Sequence, residues 1–246
     1  MINKLQNNVL SNNIKTKKKT IVYNYLLKTI FMDPNFTTLT NKDVENSFVI
    51  FDKTYFGNKL SDNIKNNGNK LTFRISNKLT KSAGMCKHRK NIKTNKSHYE
   101  IVISSMFCSL FNNGEQSLKI NGIECFNRLE CYISVYEHEI LHLVLLLFCK
   151  NYDKKSGGHT KAFKLIANNL FSHTLTKHML LSGDCKLNDN IKKNIKVGSY
   201  VITKEHNNNV YKGIVVKVNT KTIMIKLDNG NTGRISFSLV DKIIND

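Results

Sequence analysis

The feature that most constrains this chain is a long stretch of helix-forming residues with two histidines in its middle. Residues 125–150 read CFNRLECYISVYEHEILHLVLLLFCK, without a Gly or Pro, and the pattern predicts one long buried helix. Within it stand His138, Glu139 and His142. Residues four apart on a helix point about 40° from each other, so the two imidazoles face the same way, one turn apart. Glu139 lies about 100° round from His138. Two imidazoles and a carboxylate are costly to place in so apolar a segment unless they act together.

The H-E-x-x-H spacing suits a zinc hydrolase. Two histidines can hold one ion, and the glutamate, left out of the ligand set, can take a proton from water at the open fourth position. The string alone also occurs by chance, and a His on an apolar face is commonly a core residue, so the third ligand decides the reading. Phe148 occupies the position where the H-x-x-G-x-x-H continuation would put that ligand. His159 is the candidate: it follows His142 by 17 residues, directly after Gly157 and Gly158, where the chain can turn back. Asp153 remains an alternative ligand. The expected site is therefore one Zn2+ per chain on His138, His142 and His159, with Glu139 as the catalytic base.

Around this segment the chain divides into parts. Residues 1–40 read as a basic, partly disordered N-terminal arm, unstructured to about residue 20, and then a helix over the apolar run 21–32 that packs on the domain. That run is too short to span a bilayer. Residues 41–186 read as the catalytic domain. Val44, Phe48, Phe51, Tyr55 and Phe56 recur at helical spacing and stop at Gly57. Strands are expected over 71–76 and 99–104, with a loop of Lys, Arg and His between them. A second helix is expected over 160–171, with Ala162, Phe163, Ile166, Ala167 and Leu170 inward. Residues 187–246 hold four short strand-like runs separated by turns, which suggests a small SH3-like β-barrel.

Charge bears on partners. Lys and Arg total 38 against 18 Asp and Glu, a formal +20, so a polyanion such as DNA is expected to be attracted. Eleven of these cations fall between residues 59 and 100, against Asp62 and Glu100. Lys87, Arg89, Lys90 and Lys93 are the candidate nucleic-acid contacts, and a solvated lysine-rich face is the plainer account. His88 and His98 read as surface residues. His173 or His178 could orient substrate or support a ligand. The six cysteines show no C-x-x-C pair and read as reduced thiols, mostly in the core. With no signal-peptide pattern, an intracellular protein is expected, cytoplasmic or nuclear and not secreted or membrane-bound.

Taken together, several segments resemble the SprT-like zinc metalloproteases. The resemblance runs through Phe51, Asp52, Tyr55, Phe56 and Leu60, then Phe73 to Ser76, Ser82 to Cys86 and Ile101 to Ser104. It continues into His138, Glu139, His142, Gly158, His159 and Phe163. It implies an α+β, zincin-like protease domain with the three histidines as zinc ligands and Glu139 as base. The implied substrates are DNA-bound or DNA-crosslinked proteins, as in Spartan-like DNA–protein crosslink repair. The chain departs from that pattern after the protease domain, where a KOW/SH3-like barrel stands in place of a Cys-based zinc ribbon. The rival reading is a non-catalytic nucleic-acid-binding protein with a structural zinc and a recognition barrel. Glu139 weighs against it, because a structural site has no use for an unliganded carboxylate and usually fills its fourth position with protein.

Overall fold

The computed structural model describes all residues except 8, 80–81, 113, 115, 150–151, 153–157, 177–193, 204–209, 220–221 and 245–246. The chain falls into two compact units, Met1–Leu180 and Leu181–Asp246. The architecture is mixed α+β, as expected.

The N-terminal segment corrects the expectation of an unstructured arm. It forms helices α1 (Ile2–Asn7) and α2 (Asn12–Leu26), continued by a π-helical turn, Leu27–Phe31. Ser11 caps α2 by accepting from Ile14 N at 3.4 Å, and Val22, Leu26 and Phe31 anchor its far end in the core. Anchoring at one end holds in place a helix whose first turns are polar. Lys15 donates to the Asn168 carbonyl at 2.8 Å, and Lys18 donates to the Thr54 carbonyl while lying over the Tyr55 ring. Burial pushes the Lys18 ammonium below the usual lysine range.

Helix α3 (Asn41–Phe51) starts at a reciprocal cap, Thr40 with Asp43. A π-helical turn, Asp52–Phe56, extends it to Gly57, whose φ of 60° suits glycine. That extension ends beside the start of helix α4 (Lys59–Asn66), where the buried Asp52 carboxylate accepts from Leu60 N, Ser61 N and Ser61 Oγ at 3.1, 2.9 and 2.7 Å. Asp52, one of the residues carrying the resemblance, is thus a helix cap.

A three-stranded sheet follows, in the order β1-β3-β2: β1 (Lys70–Ser76), β2 (Gly84–Lys90) and β3 (Ser97–Ser104). β1 runs parallel to β3, and β2 pairs antiparallel to it at the sheet edge. The basic segment expected as a loop is therefore partly a strand. Its alternation is concealed because Gly84, Cys86 and His88 face the helices while Met85, Lys87 and Arg89 face outward. A hairpin, β4 (Leu118–Ile120) and β5 (Ile123–Cys125), precedes the central helix α5 (Arg128–Phe148), which begins three residues later than expected. Asn127 caps α5 by accepting from Glu130 N at 2.9 Å. α5 has the length and composition of a membrane span, yet most of it is buried inside the first unit. Helix α6 (Lys161–Phe171) packs against it through Phe163, Ile166, Ala167 and Leu170.

The second unit is a five-stranded antiparallel sheet in the order β10-β6-β7-β8-β9. Its strands are β6 (Tyr200–Thr203), β7 (Lys212–Val218), β8 (Thr222–Leu227), β9 (Thr232–Ser236) and β10 (Val240–Ile244). β10 was not among the four strands expected. Val201, Val215, Ile223, Ile225, Ile235 and Phe237 form its own core. Among the described residues the order leaves β9 and β10 as edges, so no closed barrel is seen.

Candidate metal centre

His138 and His142 project from α5, and His159 stands just before the N-cap of α6. Thr160 fills that cap by accepting from Phe163 N at 3.2 Å, which fixes where His159 leaves the loop. The three rings converge. His138 Nε2 lies 2.9 Å from His159 Nε2 and 3.1 Å from His142 Nε2. For a zinc ion held tetrahedrally at about 2.0–2.1 Å, the ligand nitrogens would be about 3.3 Å apart; the two His138 pairs are near that value and all three ligand atoms lie within 4.8 Å of one another, so the donor set suits such an ion. Among the described residues these three histidines are the group that could hold a metal. Asp153 and Gly157 lie outside the described residues.

Phe163 gives the cluster a common floor. Its fully buried ring lies 4.8 Å from His138, 4.5 Å from His142 and 5.1 Å from His159, centroid to centroid. This apolar backing lowers the local dielectric and limits the directions in which each imidazole can turn.

A residue not foreseen from the sequence completes the arrangement. The Tyr152 hydroxyl lies 2.6 Å from His142 Nδ1 and 2.9 Å from the Gly158 carbonyl oxygen. A carbonyl can only accept, so the one hydroxyl proton goes to Gly158 and the oxygen accepts from His142 Nδ1–H. The proton of His142 is thereby held on Nδ1, and Nε2 keeps its lone pair for a metal. Burial, with the Cys86, Glu139 and Cys149 groups adding to it, pushes the Tyr152 phenol above its usual range, so it stays a donor. Gly158 has φ +79°, and a methyl group there would come within 2.3 Å of the Tyr152 oxygen. Only glycine meets both conditions.

Glu139 is buried, and β2 passes directly over it. A methyl group added at Gly84 would lie 2.7 Å from Glu139 Cγ and 2.8 Å from Oε1. The edge strand therefore borders the carboxylate. Glu137, two residues earlier, serves the interior: its Oε2 lies 2.9 Å from His173 Nε2, with both side chains buried, and Tyr55 reaches its Oε1 at 3.5 Å. Those described contacts link His173 to Glu137 and not to the three converging histidines. His178 lies outside the described residues.

The four candidate nucleic-acid contacts follow β2 away from Glu139. Lys87 lies 3.5 Å from Glu100, which also accepts from Arg74 at 3.0 Å. Burial opposes ionisation of Glu100, and the Arg74 and Lys87 contacts outweigh it, holding the carboxyl below the usual range. Arg89, Lys90 and Lys93 are exposed. Lys90 is six residues beyond Gly84, about 20 Å along an extended strand. His88 and His98 are more engaged than surface residues: His88 stacks on Tyr99 with centroids 5.0 Å apart, and His98 Nε2 lies 2.7 Å from Thr72 Oγ1. Among the described residues Cys86, Cys108, Cys125, Cys131 and Cys149 stand outside disulfides, and Cys125 and Cys131 are buried.

A helix, loop and helix that gather three imidazoles near a buried glutamate, packed on a small mixed sheet, define a metal-site domain of metalloprotease type. The chain belongs to the SprT-like family, whose sequence profile matches residues 44–180, more than half its length. Comparison with curated proteins and with solved structures finds no match.

Proposed function

We propose that the protein is a zinc-dependent endopeptidase of HExxH type acting on DNA-associated or DNA-crosslinked proteins. The observation that carries the hydrolytic reading is the convergence of His138 and His142 with His159, their ligand atoms all within 4.8 Å of one another, beside Glu139 buried on the same helix as the first two. Zinc, when bound, would polarise the scissile carbonyl and acidify water. Glu139 would accept the proton of the attacking water and pass it to the leaving amine. The outer edge of β2 beside Glu139, which no strand pairs among the described residues, would take an extended substrate peptide as an added strand. Folded proteins lack such a free segment, so unfolded or mobile regions are the natural substrates.

The DNA part of the reading rests on the exposed Arg89 and Lys90 at the far end of β2, Lys90 about 20 Å along the strand from Gly84, and on the exposed Lys93 in the turn that follows, with Lys87 nearer Glu139. At that distance they would recruit and not react. The pairing of β10 back onto β6 supports an SH3-like arrangement in the second unit. Described cysteines that stand outside disulfides suit an intracellular setting, cytoplasmic or nuclear.

The test is cleavage of a DNA-bound protein by wild type and by Glu139→Gln, with metal content measured on both. The variant should keep its zinc and lose about 10²- to 10⁴-fold or more in hydrolysis, since an amide cannot accept the proton. A zinc-loaded variant with near wild-type cleavage would remove Glu139 as the base, and a zinc-loaded wild type that cleaves nothing would instead favour a structural zinc in a nucleic-acid-binding protein.

A further inference from the structure

The C-terminal sheet has two unlike faces. One buries the core around Val215 and Ile225. The other is turned to solvent, and the strand register sets its residues in rows. Ile244, Tyr200 and Ile214 stand side by side across β10, β6 and β7, with Lys226 next in the row on β8. Ile244 is 51% and Ile214 49% exposed, although each sits in a strand where burial was available. Neighbours in such a row have Cβ atoms about 4.5–5.5 Å apart, so the three side chains form one apolar strip.

Cations flank the strip on both sides. Lys242 and Lys212 belong to the row on one side, and Lys217 and Arg234 to the row on the other. With Lys226 that makes five exposed cations, and among the described residues none of them has an ion-pair partner. The Tyr200 hydroxyl donates to Asp228 Oδ2 at 2.6 Å, which engages that carboxylate and anchors the ring in the strip.

A ligand matching this face must offer flat apolar groups and several anions spread across a surface. Peptides usually join a sheet through its edge, backbone to backbone, which would leave the strip and most of the cations unused. Duplex DNA offers anions but keeps its bases stacked inside. We propose that the outer face of the C-terminal sheet binds single-stranded nucleic acid, with bases against Ile244, Tyr200 and Ile214 and phosphates on the flanking Lys and Arg. This inference does not rest on the peptidase reading, and either can fail alone.

The experiment uses the full chain and a fluorescein-labelled oligothymidylate, with binding followed by anisotropy across a salt series. It is run with Lys87, Arg89, Lys90 and Lys93 all changed to Gln, so that this other basic surface does not contribute. Adding Lys212→Gln, Lys226→Gln and Arg234→Gln should lower the slope of log affinity against log salt by about 2, at about 0.7 per phosphate contact on a single strand. Tyr200→Leu should weaken binding by about 5- to 150-fold, the equivalent of the stacking loss of about 1–3 kcal/mol per base. Ile214→Ser, at an exposed site where folding is not at stake, should weaken binding of the oligothymidylate and leave that of a duplex unchanged. An unchanged slope in the triple variant would overturn the proposal. So would equal binding of duplex and single strand together with no effect of the Tyr200 and Ile214 changes, which would mark a polyelectrolyte contact. Displacement of the oligonucleotide by poly-glutamate at equal charge concentration would overturn it in favour of an acidic protein partner.

Discussion

Replacing Tyr152 by Phe removes one oxygen and leaves the ring. That oxygen accepts from His142 Nδ1 at 2.6 Å and donates to the Gly158 carbonyl at 2.9 Å. Two effects follow. The His142 proton is no longer held on Nδ1 and can occupy Nε2, where it competes with a metal. The carbonyl preceding His159 also loses its tie to α5, so the third imidazole must be ordered when metal binds. Each net hydrogen bond is worth about 0.5–1.5 kcal/mol, so the pair sums to about 1–3 kcal/mol. Loss of a ligand's supporting hydrogen bond typically costs 10- to 100-fold in metal affinity, about 1.4–2.7 kcal/mol. The assay is competition for zinc between the protein and a chromogenic chelator, with thermal melting of the metal-free forms alongside. The expected result is a Kd for zinc about 10- to 100-fold higher, with the metal-free form also destabilised, by up to about 1–3 kcal/mol from the loss of the two bonds. An unchanged Kd would refute the reasoning. A lower metal-free melt with an unchanged Kd would make Tyr152 a packing residue only.

Other outcomes follow from the same geometry. Protein purified without added metal should carry about one zinc, and replacing His138, His142 and His159 together by Ala should abolish it in elemental analysis; retention of the ion would place the site elsewhere. Gly84→Ala inserts a methyl group 2.7 Å from Glu139 Cγ, so hydrolysis should fall while zinc content holds, and full activity would mean that β2 does not constrain the carboxylate. Changing Lys87, Arg89, Lys90 and Lys93 together should lower the salt slope of DNA binding by up to about 2.8–3.6, with Lys87 giving the least because Glu100 already holds it at 3.5 Å. An unchanged slope would leave that stretch a solvated face.

The parts of the fold legible in the sequence are those where one face of an element is apolar throughout. α3, α5 and α6 repeat large apolar residues at helical spacing, and burial of Phe48, Leu141 and Phe163 follows from that pattern. β2 breaks the rule because neither of its faces is continuously apolar. Gly84 must be small to clear Glu139, and Lys87 and Arg89 face outward, so pairing with β3 makes it a strand and local pattern does not. The hairpin β4–β5 did carry a signal, Asn121-Gly122, with φ values of 52° and 84° at the turn. In the N-terminal helices only the apolar run over 21–32 carried a signal; the Asn- and Lys-rich stretch before it is held by Val22, Leu26 and the Lys15 and Lys18 contacts, which are tertiary.

The site divides along the same line. His138 and His142 share a face by helical geometry alone, and the glycine pair made His159 a candidate because a chain turning back needs room. Tyr152 offered no such clue, as a lone tyrosine in a polar loop is ordinary. Its role depends on which atoms it meets: a carbonyl on one side, which must accept, and an imidazole nitrogen on the other, which is thereby made to donate. Gly158 ties the two levels together. The sequence shows it as a point of flexibility, but its φ of +79° and the 2.3 Å approach of the Tyr152 oxygen make it a constraint. Any larger residue there would push the tyrosine away from His142 before it changed the path of the loop. Gly158→Ala should therefore reproduce the metal-affinity loss of Tyr152→Phe and add a backbone cost of about 1–3 kcal/mol, seen as a lower melting temperature even without metal. If Gly158→Ala binds zinc as wild type does, the Tyr152 bridge does not control the site.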